Sequence, residues 1–363
     1  MGRKKSVNKH KKQILKTEDF IKQLKEIYGD KYDYSKTKYV NPSTKVVLTC
    51  PIHGEFVSYP YRLLKRKEEC PLCSNLDNSS IGQNEITDFI VGLGFNVLKN
   101  YSLSNGKEID IYIPDLNIGI EYDGLFWHSE THRPNNYHRD KTRFCNNIGI
   151  RLIHIFEDEW EFKQDIVKAR ISSILGKNVK RIYARNCDVM EISNGVASKF
   201  INRNHIQGNA ISKYRYGLYH NNKLVAVMTF CKLRKNPTNR KYKQGYYELL
   251  RFCTKKGINV VGGASKLLKY FIKTVNPHHI VSYADIRWTE GDLYKKIGFN
   301  WICNTRPNYY YIVDRKRENS FKYRKSELVK QGFDRNRTEH EIMLERKIYR
   351  IYDCGTMVFE MKI

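Results

Sequence analysis

The stretch "EIDIYIPDLNIGIEYDGLFWHSE", residues 108–130, concentrates side chains that can do chemistry. Asp110, Glu121 and Asp123 lie on two apolar, strand-like runs, and Trp127 and His128 follow at once. Strand alternation puts Glu121 and Asp123 on one face, where both can meet Asp110 on a neighbouring strand. Carboxylates that close repel and shift one another's pKa. A hard divalent cation relieves the repulsion by taking the acids as oxygen ligands. Such a cation polarises a scissile phosphate and activates water. An imidazole such as His128 suits the accompanying proton transfer.

Each of these residues also has a structural reading. Asp110 fits a hairpin surface acid. Glu121 interrupts the apolar run "NIGI-E-Y", where an unpaired buried acid is costly, and that favours a functional role. Trp127 reads as packing. His128 fits either a catalytic residue or the cap of a strand end, and His138 either a catalytic residue or a helix-surface histidine. Glu85, on the leading helix, either completes the metal site or faces solvent. Glu157, Asp158 and Glu159 read as an ordinary polar junction between strand and helix.

The elements that must position these residues follow from periodicity. "QNEITDFIVGLGF" is helical, strands are expected at 108–113 and 117–123, and "YHRDKTRFCNNIGI" is a helix ending near Gly149. "RLIHIFEDEW" reads as an apolar strand and "FKQDIVKARISSILG" as a closing helix. Nucleases of the PD-(D/E)xK type share this order of helix, hairpin, helix, strand, helix. Within them, "DIYIP…IEYDGLFWHSE…YHRDKT…GIRLIHIFEDEW" resembles the very-short-patch-repair endonuclease core. The resemblance implies that Asp110, opening a D-I-x-x-P strand, ligates the metal. It also implies that His128, in a G-x-F-W-H run, is catalytic. Asp123 stands where those enzymes have another His, and its role is open between ligand and proton acceptor. Lys141 stands near the Lys of the following helix. The combination, over roughly 79–176, is also similar to free-standing phage homing endonucleases. It implies catalytic Mg²⁺, with Asp110 and Glu121 as ligands, and double-stranded DNA as substrate.

Upstream, "TEDFIKQLKEIYG" is helical with Thr17 as its candidate N-cap. Cys50-x2-His53 and Cys70-x2-Cys73 are separated by sixteen residues, the paired-ligand pattern of a structural Zn²⁺ site. So short a segment draws much of its folding energy from metal. It resembles the zinc-ribbon modules found beside phage and mobile-element nucleases.

Downstream, "GLYHNNKLVAVMTF" is a hairpin turning at Asn-Asn. "YYELLRFCTKKGINVVGGASKLLKYFIK" reads strand, Gly-rich loop, helix, and "HIVSYADIRWTEGDLYKKIGF" reads strand then short helix. Gly262 and Gly263 before a helix form a candidate anion cradle. The order resembles the GNAT acetyltransferase fold, whose pyrophosphate loop reads Q/R-x-x-G-x-G/A. Residues 259–264 match its last three positions, while Asn259 replaces the leading Gln/Arg. The expectation is therefore a GNAT-like scaffold that does not need acetyl-CoA, with Asp285 and Tyr294 as the polar candidates if it is an enzyme. The segment 316–363 is basic with interleaved aromatics, which can bind phosphate and stack on bases, and "RIYDCGTMVFEM" reads as a final strand.

Bulk properties agree with a polyanionic partner. The net charge is +27 over 363 residues, spread along the chain, and no apolar run reaches a membrane-spanning length. Nine cysteines, an odd number, fit reduced thiols rather than a disulfide framework. The N-terminus lacks the apolar core of a signal peptide, so a cytoplasmic protein is expected, in the host cell if phage-encoded.

The fold class expected is multidomain α/β. It comprises a basic tail (1–15), a helix plus zinc ribbon (16–76), a patch-repair-like nuclease core (79–176), a GNAT-like domain (179–315) and a basic C-terminal segment (316–363). The function expected is a metal-dependent, site-directed DNA endonuclease of the phage homing type. The alternatives are a GNAT-like transferase acting on nucleic acid, targeted by the N-terminal half, and a non-catalytic DNA-binding protein.

Overall fold

The computed structural model describes residues 16–51, 54–70, 80–177, 180–233 and 245–363. The chain divides into two compact units, Met1–Glu85 and Ile86–Ile363.

In the first unit the expected helix spans Thr17–Tyr28 and buries Phe20 and Leu24. Thr17 is its first residue rather than its cap. Lys16 takes the cap position, and the Thr17 hydroxyl accepts from Tyr39 N–H at 3.1 Å. A hairpin of β1 (Val46–Cys50) and β2 (Gly54–Ser58) closes with Cys50 opposite Gly54. The short helix Pro60–Arg66 adds Leu63. Cys50 and Cys70 are buried in this one small core, beside Tyr32, Leu48 and Phe56, and Cys70 N–H donates to the Tyr32 hydroxyl at 2.9 Å. Both thiols belong to the same small core, as a structural Zn²⁺ site there would require. The other two expected ligands, His53 and Cys73, lie outside the described residues.

The second unit begins with a four-stranded sheet of β3 (Leu98–Ser102), β4 (Glu108–Ile113), β5 (Ile118–Asp123) and β6 (Arg151–Phe156), in that order. β4 and β5 form the expected antiparallel hairpin. β5 and β6 run parallel, with the helix Tyr137–Asn147 in the connection between them. β3 is an edge strand with no buried residue, so it carries no apolar alternation to betray it. β6 ends at Phe156, and the acids read as its tail instead open the helix Glu157–Ile174. Three acids in a first turn complement the positive end of the helix dipole.

The sheet is held by branched side chains. Ile111, Ile113, Ile120, Ile153 and Ile155 pack with Ile86, Ile90, Trp160, Ile166 and Ile171. Each such burial contributes about 1.5–3 kcal/mol. Gly119 is required by packing, since a Cβ there would lie 2.8 Å from Leu152 Cδ1.

The later strands are β7 (Lys180–Tyr183), β8 (Asp188–Glu191), β9 (Tyr214–His220), β10 (Lys223–Lys232), β11 (Tyr246–Thr254) and β12 (Ile258–Val261). They continue with β13 (His279–Asp285), β14 (Asn300–Asn304), β15 (Tyr309–Val313), β16 (Lys316–Asn319), β17 (Arg350–Tyr352) and β18 (Thr356–Lys362). A seven-stranded sheet has the order β14-β18-β13-β11-β10-β9-β8. Within it β11 and β13 are parallel. The β9–β10 hairpin turns at Asn221 and Asn222, both left-handed (φ 48° and 60°), as the sequence requires. The helix Gly263–Val275 packs on this sheet through Leu267, Leu268 and Phe271. The C-terminal segment is folded: β15, β16 and β17 make a small sheet, and β18 enters the large one between β13 and β14.

Purified protein should carry about one Zn²⁺ held through thiolates in the first unit. Cys70→Ser/Cys73→Ser should lose that equivalent in elemental analysis. Undiminished metal in the double variant would remove the site.

Candidate functional site

β4 and β5 deliver the first group of functional side chains. One residue beyond the pair Ile111–Ile120, the antiparallel register sets Asp110 opposite Glu121. Glu121 Oε1 accepts from Asp110 N–H at 3.3 Å, and Asp110 Oδ2 accepts from Tyr122 N–H at 2.8 Å. Lys141, on the helix Tyr137–Asn147, reaches down to Glu121 Oε2 at 2.5 Å and is itself buried. Burial pushes Asp110 up to about 6. Burial and the neighbouring Asp110 push Glu121 well above the usual carboxyl range. Burial disfavours the Lys141 ammonium, but Glu121 more than offsets this and keeps it charged. Two carboxyls thus meet beside one ammonium in a partly dry site, an oxygen donor set that suits a hard cation.

Asp123, two residues on, belongs to a different group. Its Oδ2 lies 2.9 Å from His154 Nδ1, and its Oδ1 lies 3.1 Å from His128 Nδ1 and 3.4 Å from His138 Nε2. His128 Nδ1 and His138 Nε2 are 2.8 Å apart. Burial opposes ionisation of Asp123, but His138, His154 and His128 outweigh it and hold the carboxyl well below its usual range. Burial pushes His128 down to about 4 and lowers His154. Asp123, His138 and His154 form a cluster that could hold a metal ion. The donor set of the first group, two carboxyls and no nitrogen, fits a hard cation such as Mg²⁺; the second adds imidazoles.

The structure therefore brings together Asp110, Glu121 and Lys141, and beside them Asp123, His128 and His138. His138 is only 2% exposed, so it is not a surface histidine. His154 was not singled out in the sequence. Its one signal there is a histidine inside the apolar run "RLIHIF", which the parallel register sets beside Glu121. Glu85 is half-buried on the helix Ile81–Gly92 and belongs to the first unit. Trp127 does not pack: it is 65% exposed and Phe126 beside it is 55% exposed, with their rings edge-to-face at 5.2 Å. Gly262 adopts φ 77° as the cap of the helix Gly263–Val275. A Cβ at Gly263 would meet Val260 at 3.0 Å, so this pair has a packing reason to be glycine. Tyr294 stacks on Phe359 at 4.8 Å.

The loop carrying His128 is fixed from the far end of the chain. Glu130 accepts from Arg350 N–H and from His340 Nε2, each at 2.8 Å, and Ser129 bridges Ile351. The acids after β6 are not an ordinary junction. Buried Glu159 receives Arg287 at 3.0 and 3.1 Å and Arg317 at 2.8 Å. Arg317 also donates to Asp158 at 2.8 Å, and Arg287 to Asp285 at 2.8 Å. Burial opposes ionisation of Glu159, but the two guanidiniums hold it at about 2. Arg287 N–H groups and carbonyl also bracket the backbone of His154.

Residues 13–74 match a family described as a protein of unknown function (DUF723), and residues 186–351 match the Mom protein family. An uncharacterized protein of Acanthamoeba polyphaga mimivirus is 40% identical over 57 residues, 16% of this chain and 21% of that protein. A second from the same virus is 34% identical over 80 residues, 21% of this chain and 30% of that one. The chain thus spans only about a fifth to a third of the length of these curated relatives. Among solved structures, the ribosomal-protein-S18-alanine N-acetyltransferase of Escherichia coli is 11% identical, covering 49% of this chain and 94% of that one, with a TM-score of 0.30. An IAA acetyltransferase of Bacillus cereus is 10% identical, covering 49% and 99%, with a TM-score of 0.28. The fold is mixed α/β with several sheets, and its structural neighbours include GNAT acetyltransferases. Scores this low carry no argument about activity.

Glu159 makes stability pH-dependent. Its folded pKa, about 2, lies below its unfolded value, so its contribution is present above about pH 4.5 and is lost as pH falls toward 2. The loss should be about 3 kcal/mol. Denaturant unfolding across this range should show it in wild type, and Glu159→Gln should be less stable at neutral pH with a flatter profile. Parallel profiles would contradict the assignment.

Proposed function

We propose that this protein is a metal-dependent DNA endonuclease of the homing type, hydrolysing phosphodiester bonds at the Asp110–Glu121–Lys141 group. The observation that carries the reading is the donor set: buried Glu121 and half-buried Asp110 meet across the hairpin, with Lys141 on Glu121. Asp110 and Glu121 would hold the Mg²⁺. Bound there, Mg²⁺ supplies Lewis-acid polarisation of the phosphate and a more acidic water.

The chain's own residues supply the rest. Lys141 neutralises Glu121 and fixes its carboxylate orientation. His128 Nδ1 lies 2.8 Å from His138 Nε2, a contact that orients the ring and leaves Nε2 as the nitrogen that can take a proton from water. With its pKa pushed down to about 4, His128 is neutral at physiological pH, the form that accepts a proton. The exposed Phe126 and Trp127 offer ring faces to bases. A cleft of about 500 Å³, with Thr142 on its wall, is lined by Arg139, Arg143, Arg151 and Arg306. Arginines so placed suit phosphate oxygens, and the +27 net charge draws the polyanion in.

A second reading takes its support from the Mom-family match over 186–351 and assigns that half to a transferase acting on nucleic acid. Tight acetyl-CoA binding without Mg²⁺-dependent cleavage would favour that reading over the first.

Asp110→Asn keeps size but removes ligand charge. It should abolish Mg²⁺-dependent plasmid cleavage while leaving DNA binding intact or slightly tighter. His128→Ala should slow cleavage by roughly 10²–10⁴-fold. Trp127→Ala should weaken binding by about 1–3 kcal/mol, with little change in stability. Cleavage in EDTA, or an Asp110→Asn enzyme as active as wild type, would place the chemistry elsewhere.

A further inference from the structure

We propose that Asp123, His138 and His154 form a second cation site, separate from the Asp110–Glu121 pair, that takes a borderline first-row transition dication of the Zn²⁺ class. The inference deepens the nuclease reading by adding a second ion beside its centre, but its test does not depend on cleavage.

All three side chains are buried, and their donor atoms lie within 4.8 Å of one another. Asp123 Oδ1 is fully buried and has no hydrogen-bond partner. The imidazole nitrogens at 3.1 and 3.4 Å approach it without hydrogen-bond geometry. A buried carboxylate oxygen left so is costly unless a cation meets it.

Proton accounting at His154 is consistent with this. Thr142 Oγ1 donates to the His138 carbonyl at 2.9 Å. With that hydrogen on the carbonyl, Thr142 Oγ1 accepts the ring N–H of His154 at Nε2, 2.9 Å away, and Nδ1 faces Asp123 Oδ2 at 2.9 Å with its lone pair. A metal takes both lone pairs at once. This is the tautomer a metal between Nδ1 and the carboxylate requires; with the Thr142 hydrogen on His154 Nε2 instead, Nδ1–H donates to Asp123.

At His138, Nε2 lies 2.8 Å from His128 Nδ1. One proton at most sits between them, so a metal taken by His138 Nε2 would replace this contact and release His128 Nδ1. Ligands about 2.1 Å from a tetrahedral Zn²⁺ lie about 3.4 Å from each other. His154 Nδ1 lies 2.9 Å from Asp123 Oδ2 and His138 Nε2 3.4 Å from Oδ1, and one donor atom from each residue falls within 4.8 Å of the others, so ligation asks for small side-chain adjustments. Two imidazoles and one carboxylate, with positions left open, suit Zn²⁺ or its neighbours and not Mg²⁺. The Thr142 contact to His154 Nε2 is the outer support that metal-bound histidines usually have.

The test is a Co²⁺ titration of the full chain, stripped by chelator and held in excess Mg²⁺ to occupy the acid pair. The cysteine site of the first unit should show thiolate-to-metal charge transfer in the near ultraviolet. The proposed site should appear as a further equivalent with visible d–d bands and no thiolate signature. His154→Gln and Asp123→Asn should each lose that equivalent while keeping the thiolate one, with near-ultraviolet circular dichroism reporting that the second unit is folded. Wild type taking up Co²⁺ only with the thiolate signature, or folded His154→Gln retaining the full further equivalent, would overturn the proposal. Plasmid cleavage by Asp110→Asn, scored separately, tests the nuclease reading and leaves the Co²⁺ result untouched.

Discussion

Buried negative charge on β4 and β5 is the constraint to which the rest of the second unit answers. Asp110, Glu121 and Asp123 alternate with the isoleucines that fill the sheet's other face and turn toward the helix Tyr137–Asn147. Each acid must find positive charge, a proton or backbone donors, because a bare carboxylate in such surroundings is not tolerated. Glu121 finds Lys141. Asp123 finds three imidazoles. Asp110 finds a backbone N–H and shares a lysine already committed elsewhere. The helix Tyr137–Asn147 carries both Lys141 and His138, so one element supplies the answering groups to two neighbouring acids.

The later half of the chain completes this arrangement. Arg287 and Arg317 clamp Glu159 at the start of the helix after β6, and Arg287 reaches the backbone of His154. Arg350 and His340 hold the loop that positions His128. Such supports are what a catalytic centre needs to keep its side chains in one geometry. Ile86–Ile363 is one compact unit, in which the β3–β6 sheet is tied to the residues matching the Mom family through these contacts.

Much of the acid group was legible because it is local. The hairpin, its alternation and the spacing of Asp110, Glu121 and Asp123 all lie within sixteen residues of sequence. The Asn221–Asn222 turn was legible for the same reason, since its backbone conformation is dictated by the residues in it. What could not be read depends on long-range pairing. His154 looks like part of a core strand until the parallel register sets β6 beside β5. Glu159 looks like a surface acid until Arg287 and Arg317 arrive from more than a hundred residues away. Trp127 resembles core because its type is apolar, but the loop that holds it is pinned through Ser129 and Glu130, which leaves the indole outside.

The central claim is that the Asp110–Glu121 pair takes a hard dication. Calorimetric titration with Mg²⁺ of wild type and Glu121→Gln, at neutral pH and without DNA, tests it most directly. Wild type should bind Mg²⁺ at one site, and the variant should lose most of that affinity. Equal Mg²⁺ binding by the two proteins, or none by wild type, would contradict the account.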